Sequence, residues 1–292
     1  MQTTMTTIQL PAHTHIGAAH LIVADLGRAL DFYGNQLGFK ELRRAGATVV
    51  LSADGATPHI VLTEQRGAAP KPPRSTGLYH VAIRFPDRPA LARAFRRLVT
   101  LRYPFGGFSD HAVSEALYLA DPDGNGLEMY VDRPREAWPR LGDQIQMVTE
   151  PLDVDDLLAQ ADLDPSPWQG VHPHTDIGHV HLHVSDLGRA KAFWVDLIGL
   201  DIVVDFSSHA ALFVSAGGYH HHLGLNTWAG KNPPPPNAVG LRSFQLVIPE
   251  AAALEAVIAR LDGAGGALER LPGGARVCDD DGNAVELVEK QA

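Results

Sequence analysis

The chain has a single cysteine, Cys278, so no internal disulfide can form, and a reducing compartment such as the cytoplasm is the expected location. Cys278 itself reads as a small core residue on a strand. Long apolar runs are missing as well: no stretch approaches the ~18 residues of a membrane span. Basic charge is in deficit. With 24 Lys and Arg against 34 Asp and Glu, the net charge is −10, which argues against a nucleic-acid partner because such binding needs a basic face. The opening MQTTMTTIQL lacks a basic start followed by an apolar core, so no signal peptide is expected. Aromatic residues are only 7% of the chain. What is there is ordinary globular material: 292 residues, 45% hydrophobic and 20% charged, a size that predicts about two domains. Fifteen histidines, however, exceed what packing requires.

The sequence repeats. Residues 16–39, IGAAHLIVADLGRALDFYGNQLGF, are echoed by residues 177–200, IGHVHLHVSDLGRAKAFWVDLIGL. An echo of this quality marks duplicated architecture. Each copy begins with a short alternating strand that ends at Asp25 or Asp186, a helix-capping acid. An amphipathic helix follows, with Leu26, Leu30, Tyr33 and Leu37 at helical spacing in the first copy, and Gly38 or Gly199 stops it. Strands near 39–45, 47–52 and 58–64 complete a βαβββ unit.

A diverged unit follows each copy. LYHVAIRFPD (78–87) leads into a helix near 88–99 and the unit closes with DPDGNGLEMYVD. LRSFQLVIPE (241–250) leads into a helix near 251–262 and closes with DDDGNAVELVEK. The fold class is therefore α+β: four βαβββ modules paired into two domains, each a curved mixed sheet around a cleft. The expected division is an N-terminal domain over 1–132, a linker over 133–176 with a helix near 152–161, and a C-terminal domain over 177–292. PPPP at 233–236 marks the crossover between the third and fourth modules, since it cannot lie in a central strand.

Equivalent positions carry the chemistry. Seven residues before each capping acid stand Ala18, His80, His179 and Ser243. Four residues after the glycines that precede each last strand (Gly55, Gly124, Gly218 and Gly282) stand His59, Glu128, His222 and Glu286. Grouped by domain, each half offers two histidines and one glutamate. Two imidazoles and a carboxylate bind a divalent ion and leave positions open for substrate or dioxygen. The C-terminal set His179, His222 and Glu286 is the first candidate metal site; His59, His80 and Glu128 are the second. Along the first strand of the third module, His179, His181 and His183 share a face. By the same alternation His220 and His222 face together, and His221 points away.

Together the HVHLHVSDLGRAKAFW stretch, the DPDGNGLEMY and DDDGNAVELV endings and the fourfold module count resemble the vicinal oxygen chelate superfamily, which includes glyoxalase I, bleomycin resistance proteins and extradiol ring-cleaving dioxygenases. With YHHHLGLNTW and SDHAVSEALYLADPDGNGLEMY, the chain is most similar to the two-domain catechol-2,3-dioxygenase-like branch. That resemblance implies an Fe(II) enzyme that opens a small aromatic diol with O2, with manganese, nickel or zinc as alternative metals and no cofactor other than the ion. It also implies a tyrosine ten residues before the ligand glutamate, matched by Tyr118 in the first half and replaced by Arg276 in the second, and an acid–base histidine upstream, matched by His111. In the C-terminal site, His181 or His183 would move the proton, and which of the two domains is active is left open. Two rival readings remain: a glyoxalase-like lyase or isomerase on another metal, expected to use a fourth ligand, and a metal-free drug-binding protein whose cleft is lined by Trp194, Trp228, Phe206 and Phe213. Self-association into a homo-oligomer is left open.

Overall fold

The computed structural model describes residues 9–142 and 144–289; the region examined for a signal peptide lies largely outside the described residues. The four modules are present. The first comprises β1 (His15–Val23), α1 (Leu26–Leu30), β2 (Lys40–Ala45), β3 (Thr48–Ser52) and β4 (Ile60–Glu64). The second comprises β5 (Gly77–Phe85), α2 (Arg88–Thr100), β6 (Gly107–Asp110), β7 (Ser114–Ala120) and β8 (Gly126–Asp132). The segment between the halves holds β9 (Arg140–Leu141), β10 (Gln144–Ile145) and α3 (Val154–Ala159). The third module has β11 (Asp176–His183), α4 (Leu187–Lys191), β12 (Asp201–Phe206), β13 (Ala211–Ser215) and β14 (Leu223–Asn226). The fourth has β15 (Gly240–Val247), α5 (Ala251–Gly263), β16 (Glu269–Leu271), β17 (Gly274–Cys278) and β18 (Ala284–Val288). In the echoed copies α1 and α4 each run on into a π-helical turn, Asp31–Gln36 and Ala192–Leu197.

The capping acids act as expected at three of four helices. Asp25, Asp87 and Asp186 accept from the backbone N–H of Arg28, Ala90 and Arg189; Glu250 makes no such bond. Cys278 ends β17 and is exposed, so it lies on a strand but not in the core. No helix among the described residues is long and apolar enough to cross a membrane.

The modules do not share sheets with their sequence neighbours. One eight-stranded sheet runs β12-β13-β14-β11-β5-β8-β7-β6 and joins the third module to the second; the other runs β16-β17-β18-β15-β1-β4-β3-β2 and joins the fourth to the first. The expectation that modules adjacent in sequence curve around one cleft is corrected accordingly. The joins are antiparallel, β11 against β5 (His181 opposite His80) and β1 against β15 (His20 opposite Ser243). Backbone hydrogen bonding decides this: each first strand leaves one edge for its own module's last strand and one for a partner's first strand.

Modules adjacent in sequence meet through helices instead. The DPDGN and DDDGN motifs are turns in which Asp121 and Asp279 each accept backbone N–H groups two and four residues on. Their second oxygens accept from Tyr33 Oη and Trp194 Nε1, side chains of the preceding module's helix. A shared apolar core runs through both sheets and their helices, with Phe32, Tyr33, Phe95, Trp194 and Phe244 buried in it.

Candidate metal centre

Joining modules two and three places His80 on β5, Glu128 on β8 and His179 on β11 side by side. One ligand atom from each lies within 4.8 Å of the others, and all three residues are buried. Glu128 Oε2 is 3.0 Å from His80 Nε2 and 3.2 Å from His179 Nε2. Pairing of β5 with β8 sets Ala82 opposite Glu128, and Gly124, at φ +84, makes the turn that brings β8 back.

The donor set fits a divalent ion. His80 Nε2 is close to the carboxylate yet makes no hydrogen bond among the described residues, and His80 Nδ1 and His179 Nδ1 are likewise without partners. Within the cluster one contact is a hydrogen bond, His179 Nε2 to Glu128 Oε2 at 3.2 Å, and the unpartnered His80 Nε2 points at the same carboxylate, so nitrogen and oxygen donors converge on common space. Burial pushes the Glu128 carboxyl up, but the imidazoles of His179 and His80 outweigh it and hold the group well below the usual carboxylate range. Burial drives His179 down to about 4 against the pull of Glu128. Both groups are therefore in their ligating forms near neutral pH.

The two sets proposed from sequence spacing are not the set that assembles. Glu286 sits in the other sheet, where it accepts from Ser243 Oγ (2.8 Å) and Arg276 (2.6 Å). His59 and His222 have the same structural job in their two modules. His59 Nδ1 accepts from Ala53 N and His222 Nδ1 from Ala216 N, each at 3.2 Å, closing the turn before β4 and β14. Burial pushes His222 down to about 3, in keeping with a neutral acceptor. What recurs at that position is a turn-binding histidine, not a ligand. From the first candidate set only His179 reaches the centre; from the second, His80 and Glu128 do.

A cleft of about 1170 Å³ opens over the triad, and His80, Glu128, His111, Tyr118, His181 and His221 line it. Tyr118 Oη is 2.7 Å from His111 Nε2, and His111 Nδ1 is 2.6 Å from the carbonyl of Val148. A carbonyl only accepts, so Nδ1 carries a hydrogen; in the neutral ring Nε2 then accepts from the Tyr118 hydroxyl. Burial, and next the charge of Glu128, push the Tyr118 phenol well above its ordinary value.

Of the acid–base candidates on β11, His181 lines the cleft, but its Nε2 is taken by Asn226 Nδ2 at 3.0 Å. The Trp228 N–H donating to Asn226 Oδ1 fixes that amide's orientation. His183 does not line the cleft; its Nδ1 donates to Asn226 Oδ1 at 2.6 Å.

His221, expected to face away, lines the cleft instead, with its ring 4.1 Å from that of His179. Residues 219–222 precede β14 rather than belonging to it, so strand alternation does not govern them. The Gly217–Gly218 pair, both at positive φ, was the signal for that turn. Behind His221 stands a chain of hydrogen bonds. His220 Nε2 donates to Asp132 at 2.7 Å, and its Nδ1 lies 2.8 Å from His221 Nδ1. In a neutral His220 with Nε2 donating, Nδ1 accepts from His221 Nδ1–H, which leaves Nε2 of a neutral His221 without a hydrogen.

A curved mixed-sheet pair with a two-histidine, one-carboxylate cluster in its cleft defines a metal-site protein of βαβββ type. Residues 13–129 and 176–287 match the glyoxalase/bleomycin resistance protein/dioxygenase superfamily, and the chain belongs to it. It is 47% identical over 271 residues to a catechol-2,3-dioxygenase of Bacillus subtilis (strain 168), a match that covers 91% of this chain and 94% of that protein. Its fold superposes on the crystal structure of a Bacillus subtilis protein assigned as a dioxygenase, with a TM-score of 0.68 at 13% identity over 95% of this chain and 86% of that one. It also superposes on glyoxalase I from Zea mays, with a TM-score of 0.57 at 19% identity over 94% and 92% of the two chains.

Proposed function

We propose that the chain is an Fe(II)-dependent extradiol dioxygenase that opens a catecholic ring next to its diol, with both atoms of O2 entering the product. The observation that carries this reading is the meeting of His80, Glu128 and His179 beneath a cleft whose walls hold Tyr118 and His221. Two imidazoles and one carboxylate with open positions are the ligand pattern of non-haem Fe(II) oxygen chemistry. The 47% identity to a catechol-2,3-dioxygenase supports it. A glyoxalase-like activity would use a fourth protein ligand, and only three converge among the described residues.

His80, Glu128 and His179 would hold the ion, which when bound supplies a Lewis-acidic centre where diol and dioxygen meet. The protein's own groups then do the proton work. A diol hydroxyl placed against Tyr118 Oη has a path through that oxygen to His111 Nε2, and His111 lies at the outer part of the cleft. On the opposite wall the Asp132–His220–His221 chain presents an imidazole nitrogen free of hydrogen, a base that can take a proton and return it. This role passes to His221 from His181, whose Nε2 is occupied.

The test is an aerobic assay of protein loaded anaerobically with iron. Catechol and substituted catechols should consume one O2 per ring and form a yellow ring-opened product. Protein with iron bound at the triad that consumes no O2 with any diol would end this reading.

A further inference from the structure

The cleft is larger than a single diol ring needs. Its volume of about 1170 Å³ exceeds the roughly 300–1,000 Å³ that accommodates a drug-sized ligand. Its walls are mostly apolar. From the ligand His179 a run of ring contacts leads outward through His221, Phe213 and Phe206, with centroid separations of 4.1, 4.9 and 6.0 Å. A second run leads from His80 through Tyr79 to Trp228, at 4.8 and 5.8 Å. Trp228 is 52% exposed, an unusual position for an indole, yet it is not loose: its Nε1–H donates to the His209 carbonyl at 2.9 Å and its backbone N–H to Asn226 Oδ1 at 3.0 Å. A large ring face held rigidly at the mouth of a site is an apolar contact surface with little entropy left to lose.

Charge narrows the choice further. Among the described residues that line the cleft there is no lysine or arginine, and apart from its histidines the acidic groups there are the carboxylates Asp121 and Glu128. A ligand carboxylate placed there would lose water without gaining a cationic partner.

We infer that the substrate is a neutral catechol bearing an apolar alkyl or aryl substituent, that the substituent lies along the Phe213–Phe206–Trp228 wall, and that carboxylated catechols are excluded. This inference rests on the dioxygenase reading and specifies its substrate class.

Iron-loaded protein should be compared on catechol, tert-butylcatechol, phenylcatechol, homoprotocatechuate and the methyl ester of homoprotocatechuate. The apolar diols should exceed catechol in kcat/KM by roughly tenfold, the scale of a small apolar group in a fitted pocket. The ester should exceed its acid by at least about tenfold. Trp228→Ala should lower kcat/KM for phenylcatechol several-fold more than for catechol. Catechol matching or beating the substituted diols, or the acid matching its ester, overturns the inference while leaving the dioxygenase reading in place. Should no diol be turned over, that reading fails, and quenching of tryptophan emission decides the inference alone: ester binding at lower concentration than acid upholds it, and equal binding overturns it.

Discussion

Arg276 and Glu286 face each other across β17 and β18 in the register that Tyr118 and Glu128 occupy across β7 and β8. In one sheet the pair is a phenol beside the carboxylate of the candidate metal cluster. In the other it is an ion pair, with Arg276 donating to Glu286 at 2.6 Å. The second sheet has thus kept the glutamate and supplied its counter-charge from a side chain, while Ala18 and Ser243 stand where the first has His179 and His80. One sheet thus offers a candidate metal cluster, and in the other an arginine closes the equivalent place.

One divalent ion per chain is therefore expected. Equilibrium dialysis with metal analysis should give a stoichiometry of one. His80→Ala, His179→Ala and Glu128→Ala should each weaken binding by more than the roughly 10–100-fold typical of losing an outer hydrogen-bond partner. His59→Ala and Glu286→Gln should keep the ion at full occupancy, with thermal melting run alongside to verify folding. Metal lost from Glu286→Gln but retained by Glu128→Ala would contradict the centre.

The two proton-handling walls should separate kinetically. Tyr118→Phe and His221→Gln should each lower kcat by about 10²-fold or more with the ion still bound. Asp132→Asn, which reaches the cleft through His220 and His221 and also bonds Tyr219 and Arg84, should cost less and should shift the pH profile of kcat/KM rather than abolish it. A profile that does not move in Asp132→Asn would show that the chain from Asp132 only supports the fold.

Acid should destabilise the protein early. Burial pushes His222 down to about 3, with nearby His220 adding to the shift, and pushes His20 down to about 4, with Arg242 adding to it. Burial also lowers His181 and His221. In the unfolded chain these groups take up protons near 6.5. Between that value and the depressed folded values the unfolded state binds more protons, so stability rises with pH across the window and is lost as pH falls from about 6.5 toward 4. Each such histidine contributes up to about 1.4 kcal/mol per pH unit to the slope. Urea titrations of the metal-free protein at several pH values should show this, and His222→Asn should flatten the slope while lowering stability at pH 8 by about 1–2 kcal/mol through its lost turn hydrogen bonds. An unchanged slope in His222→Asn would count against a neutral buried His222.

Gly178, one residue before His179 of the candidate cluster, has a packing reason to be glycine. A Cβ there would lie 1.7 Å from Tyr130 Oη, which is buried and held 2.7 Å from Tyr219 Oη. Gly178→Ala should cost about 1–3 kcal/mol by overpacking and, because the strand must shift, should weaken metal binding as well. Denaturant midpoints and metal affinity together check this, and a variant with unchanged affinity would show that β11 can yield without moving His179.

Much of this was legible along the chain. Repetition, hydrophobic period and capping acids are local signals, and they placed the four modules, the helices after Asp87 and Glu250, and the strands that carry His80 and His179. The anchors picked out every residue of the triad, though distributed over two sets. A clue to the right combination was present: histidines stand at the first-strand position in modules two and three, and Ala18 and Ser243 at the same position in one and four. His221 was missed because a turn was read as a strand.

The residues by themselves determined how many modules there are and which side chains can ligate, because both follow from short-range pattern and from the chemistry of imidazole and carboxylate. Only the tertiary structure decided which modules share a sheet. That choice is made by edge-to-edge hydrogen bonding between β5 and β11 and between β1 and β15, strands far apart in the chain whose pairing leaves no periodic trace in either. With that pairing settled, His179 crosses to the side of His80 and Glu128, and the centre becomes a shared property of two halves of the molecule.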